Sequence, residues 1–136
     1  MANKKTSINA GIFKTYDIRG RYPEEINETV IYKIGWSLAG FFKKGRIIVG
    51  YDARLSSPRL YKKAMSGLNK NKNLQVIGAG LMTTPMLYFL VSYLDARGGL
   101  IITASHNPKE YNGLKVVKRG AVPMSGIEIR KIMRIH

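Results

Sequence analysis

In the stretch GGLIITASHNPKEYNGLK, Gly98 to Lys115, a hydrophobic strand runs straight into a polar loop. Leu100, Ile101 and Ile102 are aliphatic, two of them β-branched, and lie between two glycines and Thr103, the composition of a short buried strand that stops at Ser105. The strand therefore delivers a hydroxyl. Pro108 breaks the chain after His106 and Asn107, and Tyr111, Asn112 and Gly113 read as a turn back into a second apolar run, Leu114 to Val117. One serine, one imidazole, several amides and Lys115 are thus gathered between two hydrophobic anchors. Such a loop has the groups for chemistry on a phosphate or an acyl group. It fits a serine hydrolase poorly: the sequence lacks Gly-x-Ser-x-Gly, and neither Asp nor Glu stands where it would orient His106.

Upstream, strand patterns alternate with helix patterns. Ile12 to Arg21, IFKTYDIRGR, reads as a short strand that breaks into a turn at Gly20. Extended geometry would aim Asp17 and Arg19 to one face and Tyr16 and Ile18 to the other. A guanidinium at that turn can grip a phosphate through two donors, or it can simply pair with Asp17. Val30, Ile31, Ile34, Leu38, Phe41 and Phe42 recur at helical spacing behind Glu24, Glu25 and Glu28, and Lys43, Lys44 and Gly45 close that helix. Trp36 falls near this face, as core or edge packing.

Arg46 to Asp52, RIIVGYD, is the next buried strand. Its polar end lies where open α/β sheets bind ligands, and Asp52 and Arg54 are expected to brace neighbouring loops. Ser56 or Ser57 caps a helix with Pro58 in its first turn, the NKNKN run is a solvated turn, and Leu74 to Ala79 is another strand. Thr84 and Pro85 open a helix whose Met86, Leu87, Leu90, Val91 and Leu94 face the sheet, which makes its methionine and aromatic content core. Beyond the serine loop come a strand at Leu114 to Val117 and a turn from Lys118 to Pro123. Ser125 and Glu128 then form a capping box, opening a helix toward a terminal, inert His136. This alternation predicts an α/β fold of three layers, α/β/α, about a mostly parallel mixed sheet. A helix still open at the last residue suggests a domain of something longer.

With 136 residues the chain is expected to form one domain, and its apolar content of 45% includes no run long enough to span a membrane. The N-terminus is basic without the apolar segment of a secretion signal, and no cysteine is present, so the expected setting is cytoplasmic, with neither disulfides nor thiol chemistry. A net charge of +15 makes an anionic partner reasonable and a basic nucleic-acid-binding module the alternative to an enzyme. The cations, however, occur as scattered pairs such as Lys43 and Lys44, Lys62 and Lys63, and Arg130 and Lys131, with no basic stripe interleaved with aromatics. That pattern favours solvated faces over a nucleic-acid surface.

Four segments, FKTYDIRG (Phe13 to Gly20), VGYDAR (Val49 to Arg54), TTPM (Thr83 to Met86) and TASHNPKEYNGLK (Thr103 to Lys115), together resemble the first domain of the α-D-phosphohexomutases, in the phosphomannomutase/phosphoglucomutase branch. The resemblance covers nearly the whole chain, with residues 1–136 as the phosphoserine domain. It implies an intramolecular phosphotransferase that interconverts hexose 1-phosphate and 6-phosphate, of mannose or glucose, through a bisphosphorylated intermediate. On the same resemblance, Ser105 carries the phosphoryl group, Lys115 is the general acid/base, and Arg19 contacts the transferring phosphate and supports Lys115. Tyr16, His106 and Asn107 shape the site around phosphoserine and substrate. A bare serine is a poor nucleophile, so the chemistry calls for charge neutralisation and positioning. The implied cofactor is magnesium (Mg2+), held here by Ser105 through its phosphate, with the remaining ligands outside this chain. Relatives carry further domains for metal, sugar and phosphate binding that this sequence lacks. The isolated chain is accordingly expected to be inactive, its partners being the hexose phosphate and those missing domains.

Overall fold

The computed structural model describes residues 7–134. A 3-10 turn at Ala10–Ile12 precedes β1 (Ile18–Arg21), α1 (Glu28–Phe42), β2 (Gly45–Tyr51), α2 (Ser57–Leu68), β3 (Leu74–Leu81) and α3 (Thr84–Tyr93). β4 (Gly98–Ile102), β5 (Tyr111–Lys118), a second 3-10 turn at Arg119–Ala121, β6 (Val122–Met124) and α4 (Gly126–Met133) complete the order.

The six strands form one sheet in the order β1, β5, β4, β2, β3, with β6 continuing the edge of β5 beyond β1. β2 pairs in parallel with β3 and β4, whereas β5 is antiparallel to β4, β1 and β6. β5 therefore runs against the other five strands, which gives the mostly parallel mixed sheet that the alternation predicts. Each face of the sheet is covered. Ile47, Val49, Leu100, Ile102, Leu114 and Val116 project into the larger core, where they meet buried residues of α1, α2 and α4. Ile48, Ile101 and Val117 project the other way, onto Leu87 and Val91 of α3. This two-sided burial is why the central strands are apolar at consecutive positions rather than at alternate ones.

Helix starts follow local chemistry. The Asn27 side chain accepts from the Val30 N–H at 3.0 Å, Thr83 from Met86 at 3.4 Å, and Ser125 from Glu128 at 3.0 Å. Ser125 and Glu128 make only half of a capping box, because the Glu128 carboxylate is drawn to the Lys118 ammonium at 3.1 Å. Ser56 occupies the cap of α2 without making a side-chain cap bond.

Several sequence expectations are corrected. Tyr111, Asn112 and Gly113 are not a turn: they are the first residues of β5, held there by β1 through the pairs Arg21 with Tyr111, Gly20 with Asn112, and Arg19 with Gly113. Gly20 accordingly lies inside β1, and the reversal falls earlier, between the bridged residues Phe13 and Ile18. The end of the expected turn at Lys118 to Pro123 is strand, because β6 pairs with β5. On α3 only Leu87 and Val91 are buried, and Met86, Phe89 and Tyr93 are exposed, the two rings stacked at 5.4 Å. Trp36 is also exposed. α4 ends at Met133, and His136 lies outside the described residues. No helix among the described residues is long and apolar enough to cross a membrane.

Candidate active site

β4 ends at Ile102, and Thr103 continues its direction, donating its backbone N–H to the Gly113 carbonyl at 3.0 Å. The Thr103 hydroxyl then accepts from the Ser105 N–H at 3.0 Å, and the Asn107 N–H closes a turn onto the Ala104 carbonyl at 3.0 Å. Ser105 has φ +53, the left-handed region that an L-residue enters at a cost of about 1–2 kcal/mol. Its side chain is exposed beyond the carboxyl end of the sheet.

Arg54 meets that cost from the neighbouring strand end. Its NH2 nitrogen donates to the carbonyls of Ser105 (3.0 Å) and Asn107 (2.6 Å), and its NH1 nitrogen donates to those of Pro108 (2.7 Å) and Tyr111 (3.1 Å). One planar guanidinium thus ties four carbonyls of the serine loop to β2. Asp52 holds the guanidinium in turn, with its Oδ2 at 3.4 Å from Nε, while its Oδ1 accepts from the Ser57 hydroxyl at 2.5 Å and the Arg54 N–H at 3.1 Å. From the far side of the loop, buried Asn112 donates its amide to the Ser56 and Ser57 hydroxyls at 2.7 and 3.0 Å. The hydroxyls that begin α2 are therefore committed to bracing the serine loop. Bracing by Asp52 and Arg54 is what the sequence suggests; the part played by Asn112 is hidden, because its environment depends on β5 lying beside α2.

Arg19 and Lys115 share a face of the sheet. Arg19 stands opposite Gly113, two residues before Lys115, and Lys115 stands opposite Ile101. The Arg19 guanidinium is fixed from two sides: Nε and NH2 reach Asp17 Oδ2 at 2.9 and 2.7 Å, and NH1 donates to the Asn107 side-chain carbonyl. Of the two readings of Arg19, the pairing with Asp17 is the one present, and it aims the guanidinium at Asn107 of the serine loop. Lys115 lines two cavities. One, of about 750 Å³, includes Lys14, Tyr16, Asp17, Arg19 and Asn107. The other, of about 770 Å³, includes Ser105, His106, Thr103, Asp52 and the start of α3 at Thr83 and Thr84. All six residues singled out by sequence fall on this pair of cavities. Tyr16 is the one whose orientation changes: it sits in the turn before β1, 80% exposed, and opens on the same cavity as Arg19 rather than on the opposite face.

The residues present do not by themselves suit a magnesium ion. Asp52 is the only carboxylate lining the Ser105 cavity, and both of its oxygens face donors. Among the described residues no group of three or more His, Cys, Asp or Glu side chains could hold a metal ion, whereas a hard cation wants about six oxygen ligands. The basic surface is broken up as well, with Arg19, Arg54, Lys118 and Arg119 each paired to a carboxylate.

Comparison with known proteins agrees with this geometry. Residues 10–136 match the family described as phosphoglucomutase/phosphomannomutase, alpha/beta/alpha domain I. The chain is 45% identical over 113 residues to phosphohexose mutases of Xanthomonas campestris, covering 83% of this chain and 25% of that protein. It is 44% identical over 124 residues to a phosphomannomutase of Klebsiella pneumoniae, covering 90% of this chain and 78% of that sequence. Among solved structures, a phosphoglucomutase/phosphomannomutase family protein of Burkholderia thailandensis superposes with a TM-score of 0.82 at 32% identity, over 93% of this chain and 30% of that one. The chain thus spans about a quarter of the Xanthomonas relative's length and most of the Klebsiella one's.

Proposed function

Since the chain belongs to the phosphoglucomutase/phosphomannomutase family through its α/β/α domain I, we propose that it is the phosphoserine domain of a phosphohexomutase. In this reading Ser105 holds a phosphoryl group that passes to the free hydroxyl of a hexose 1- or 6-phosphate, mannose or glucose. The bond from phosphorus to Ser105 Oγ breaks with its electron pair left on Oγ as an alkoxide, a bond to the sugar oxygen forms, and Lys115 takes the proton of the sugar hydroxyl. After the bisphosphate turns over, its other phosphoryl group returns to Ser105 and Lys115 gives the proton back. Arg19 steadies the group in transit, and Tyr16, His106 and Asn107 shape the walls around it. Domains beyond this chain, in the part of the relatives' length it does not span, would supply the magnesium ligands and the sugar-selecting groups. The isolated chain is then inactive, and the cytoplasm suits a chain without cysteine.

The observation that carries this reading is the joint placement of Ser105 and Lys115 on one cavity, with Lys115 also facing the cavity of Arg19. Positioning of this kind, rather than nucleophilicity of the serine, is what phosphoryl transfer demands. The test joins this chain to the remaining domains of a relative and assays interconversion of mannose and glucose 1- and 6-phosphates with magnesium. The joined enzyme should turn over, with phosphate found on Ser105 by intact and peptide mass. A joined Ser105→Ala variant that remained active would refute the assignment.

A further inference from the structure

At the opposite end of the sheet from Ser105, four cations from four segments meet around one small cavity of about 340 Å³. Its lining is Lys44, Gly45, Arg46, Asp95, Arg97 and Arg119. Lys44 ends the connection from α1, Arg46 is the second residue of β2, Arg97 precedes β4, and Arg119 follows β5. The fold, not sequence proximity, concentrates this charge.

The guanidiniums are anchored at their roots. Arg97 Nε donates to the Lys44 carbonyl at 3.2 Å, Arg46 NH1 donates to the Leu94 carbonyl at 3.2 Å, and Arg119 grips Asp95 through Nε at 3.0 Å and NH2 at 2.8 Å. Gly45 permits the closest of these approaches: it has φ +107, and a Cβ there would stand 3.2 Å from Arg97 Cβ and 3.9 Å from its Nε. These anchors use a minority of the donors, since each guanidinium carries five N–H groups. Both terminal nitrogens of Arg97, the NH2 nitrogen of Arg46 and the Lys44 ammonium make no hydrogen bond to protein among the described residues. Asp95 is the one carboxylate in the lining, and it is consumed by Arg119. The cavity therefore holds several cations that repel one another, and the donors left over by these anchors meet no acceptor among the described residues. Arginine caps on the α3 carboxyl end account for Arg46, but not for Arg97 and Lys44 facing the same space.

We propose that this cavity is an anion site for a small phosphorylated molecule with at least two charges, such as a diphosphate or a phosphate ester. Two guanidinium forks can each engage two oxygens of such a group, and Lys44 adds a mobile point charge. The site lies on the order of 20 Å from Ser105, the length of β4 and its flanking residues at ~3.3 Å each. It is thus separate from the serine cavity, and it does not depend on the function proposed above.

The test is a titration of the isotope-labelled 136-residue chain with inorganic pyrophosphate, at constant ionic strength set with sodium chloride, followed by amide NMR. The amides of Gly45, Arg46, Arg97 and Arg119 should shift together and saturate. The double variant Arg46→Gln, Arg97→Gln should weaken that binding at least tenfold while leaving the remaining amide spectrum unchanged. The single variant Lys62→Gln, at an exposed position of α2, should leave the affinity as it was. Shifts that do not saturate, that spread equally over Lys62, Lys63, Lys70 and Lys72, or that appear only around Arg19 and Asn107 would overturn the proposal. So would undiminished affinity in the double variant. Should that variant misfold, Arg97→Lys, which keeps the charge and loses the fork, must weaken binding by at least threefold for the proposal to stand.

Discussion

Replacing Arg54 with methionine keeps an unbranched apolar stem and removes the guanidinium with its four hydrogen bonds to the serine loop. The acceptors are not equal. The bonds to the Ser105 and Pro108 carbonyls are exposed, so water replaces the lost donor there, whereas those to the Asn107 and Tyr111 carbonyls are partly buried. Counting only the latter two, at about 1.5 kcal/mol for each bond to a charged donor, gives roughly 3 kcal/mol. Losing the partner of Asp52, whose side chain is 22% exposed, adds to the cost, although the Ser57 hydroxyl and the Arg54 N–H still satisfy one of its oxygens. Arg54→Met should therefore lower the urea-unfolding free energy by about 3 kcal/mol, measured by far-UV circular dichroism. Arg54→Lys should recover little, because an ammonium is a point charge and cannot span four carbonyls. Amide hydrogen exchange locates the effect: the N–H groups of Ser105, Asn107 and Tyr111 should lose protection in Arg54→Met well before those of Ile48 or Ile101 in the central strands. A variant that unfolds within 0.5 kcal/mol of the parent with an equally protected loop would refute the claim that this arginine holds the serine in place.

Other consequences can be checked on the same chain. A Cβ at Gly113 would stand 1.9 Å from the Ile18 carbonyl oxygen, so Gly113→Ala must push β1 off β5 and should cost at least ~3 kcal/mol in urea unfolding. Ser105→Gly and Ser105→Ala both lack the hydroxyl, yet at φ +53 the glycine variant should be the more stable by about 1 kcal/mol; the opposite order would show that the loop is not held in the left-handed region. The Tyr22 phenol is raised above its ordinary pKa, first by its hydrogen bond to Glu28 at 2.5 Å and then by burial and the Glu28 charge, with Arg59 opposing. A raised folded-state pKa means that this contribution is fully present below about pH 10 and is lost as pH rises through the folded value. Tyr22→Phe should then be less stable than the parent at pH 7 by about 1.5 kcal/mol, and the gap should narrow in urea titrations above pH 10.

How much of this was legible in the sequence depends on whether a residue's neighbours lie along the chain or across it. The central strands were legible because burial on both faces leaves an unmistakable mark, consecutive apolar residues bounded by glycine and polar ends. Tyr111 to Gly113 have the composition of a turn and yet are strand. Their strand state comes from pairing with β1, about ninety residues upstream, and Asn112 tolerates burial only because two serines of α2 accept its amide. The exposure of Met86, Phe89 and Tyr93 is hidden for the opposite reason: helical periodicity marks which residues share a face, not how much of that face the sheet covers. Tyr16 leaves the face that strand alternation predicts for it because the chain bends at residues 15–17 before β1 begins.

The one antiparallel strand explains how a site with so few residues is assembled. In a sheet made only of parallel strands, the serine at the end of β4 would meet other strand ends, and a residue ten positions later would be carried away by a crossover helix. Here the chain reverses after Ser105 and returns as β5 beside β4, so Lys115 comes back opposite Ile101, on the face from which Thr103 and the serine loop extend. β1 then adds to the free edge of β5 and sets Arg19 on that same face, where Asp17 and Asn107 orient its guanidinium. Three adjacent strands bring the Ser105 loop and Lys115 to one cavity and Lys115 and Arg19 to the next, and Arg54 reaches across from β2 to stiffen the turn that makes the reversal possible. Sliding β5 by one residue against β4 would turn Lys115 into the larger core and carry Leu114 and Val116 out of it to the opposite face. The hydrophobic burial that fixes the fold therefore also fixes the positions of Ser105, Lys115 and Arg19.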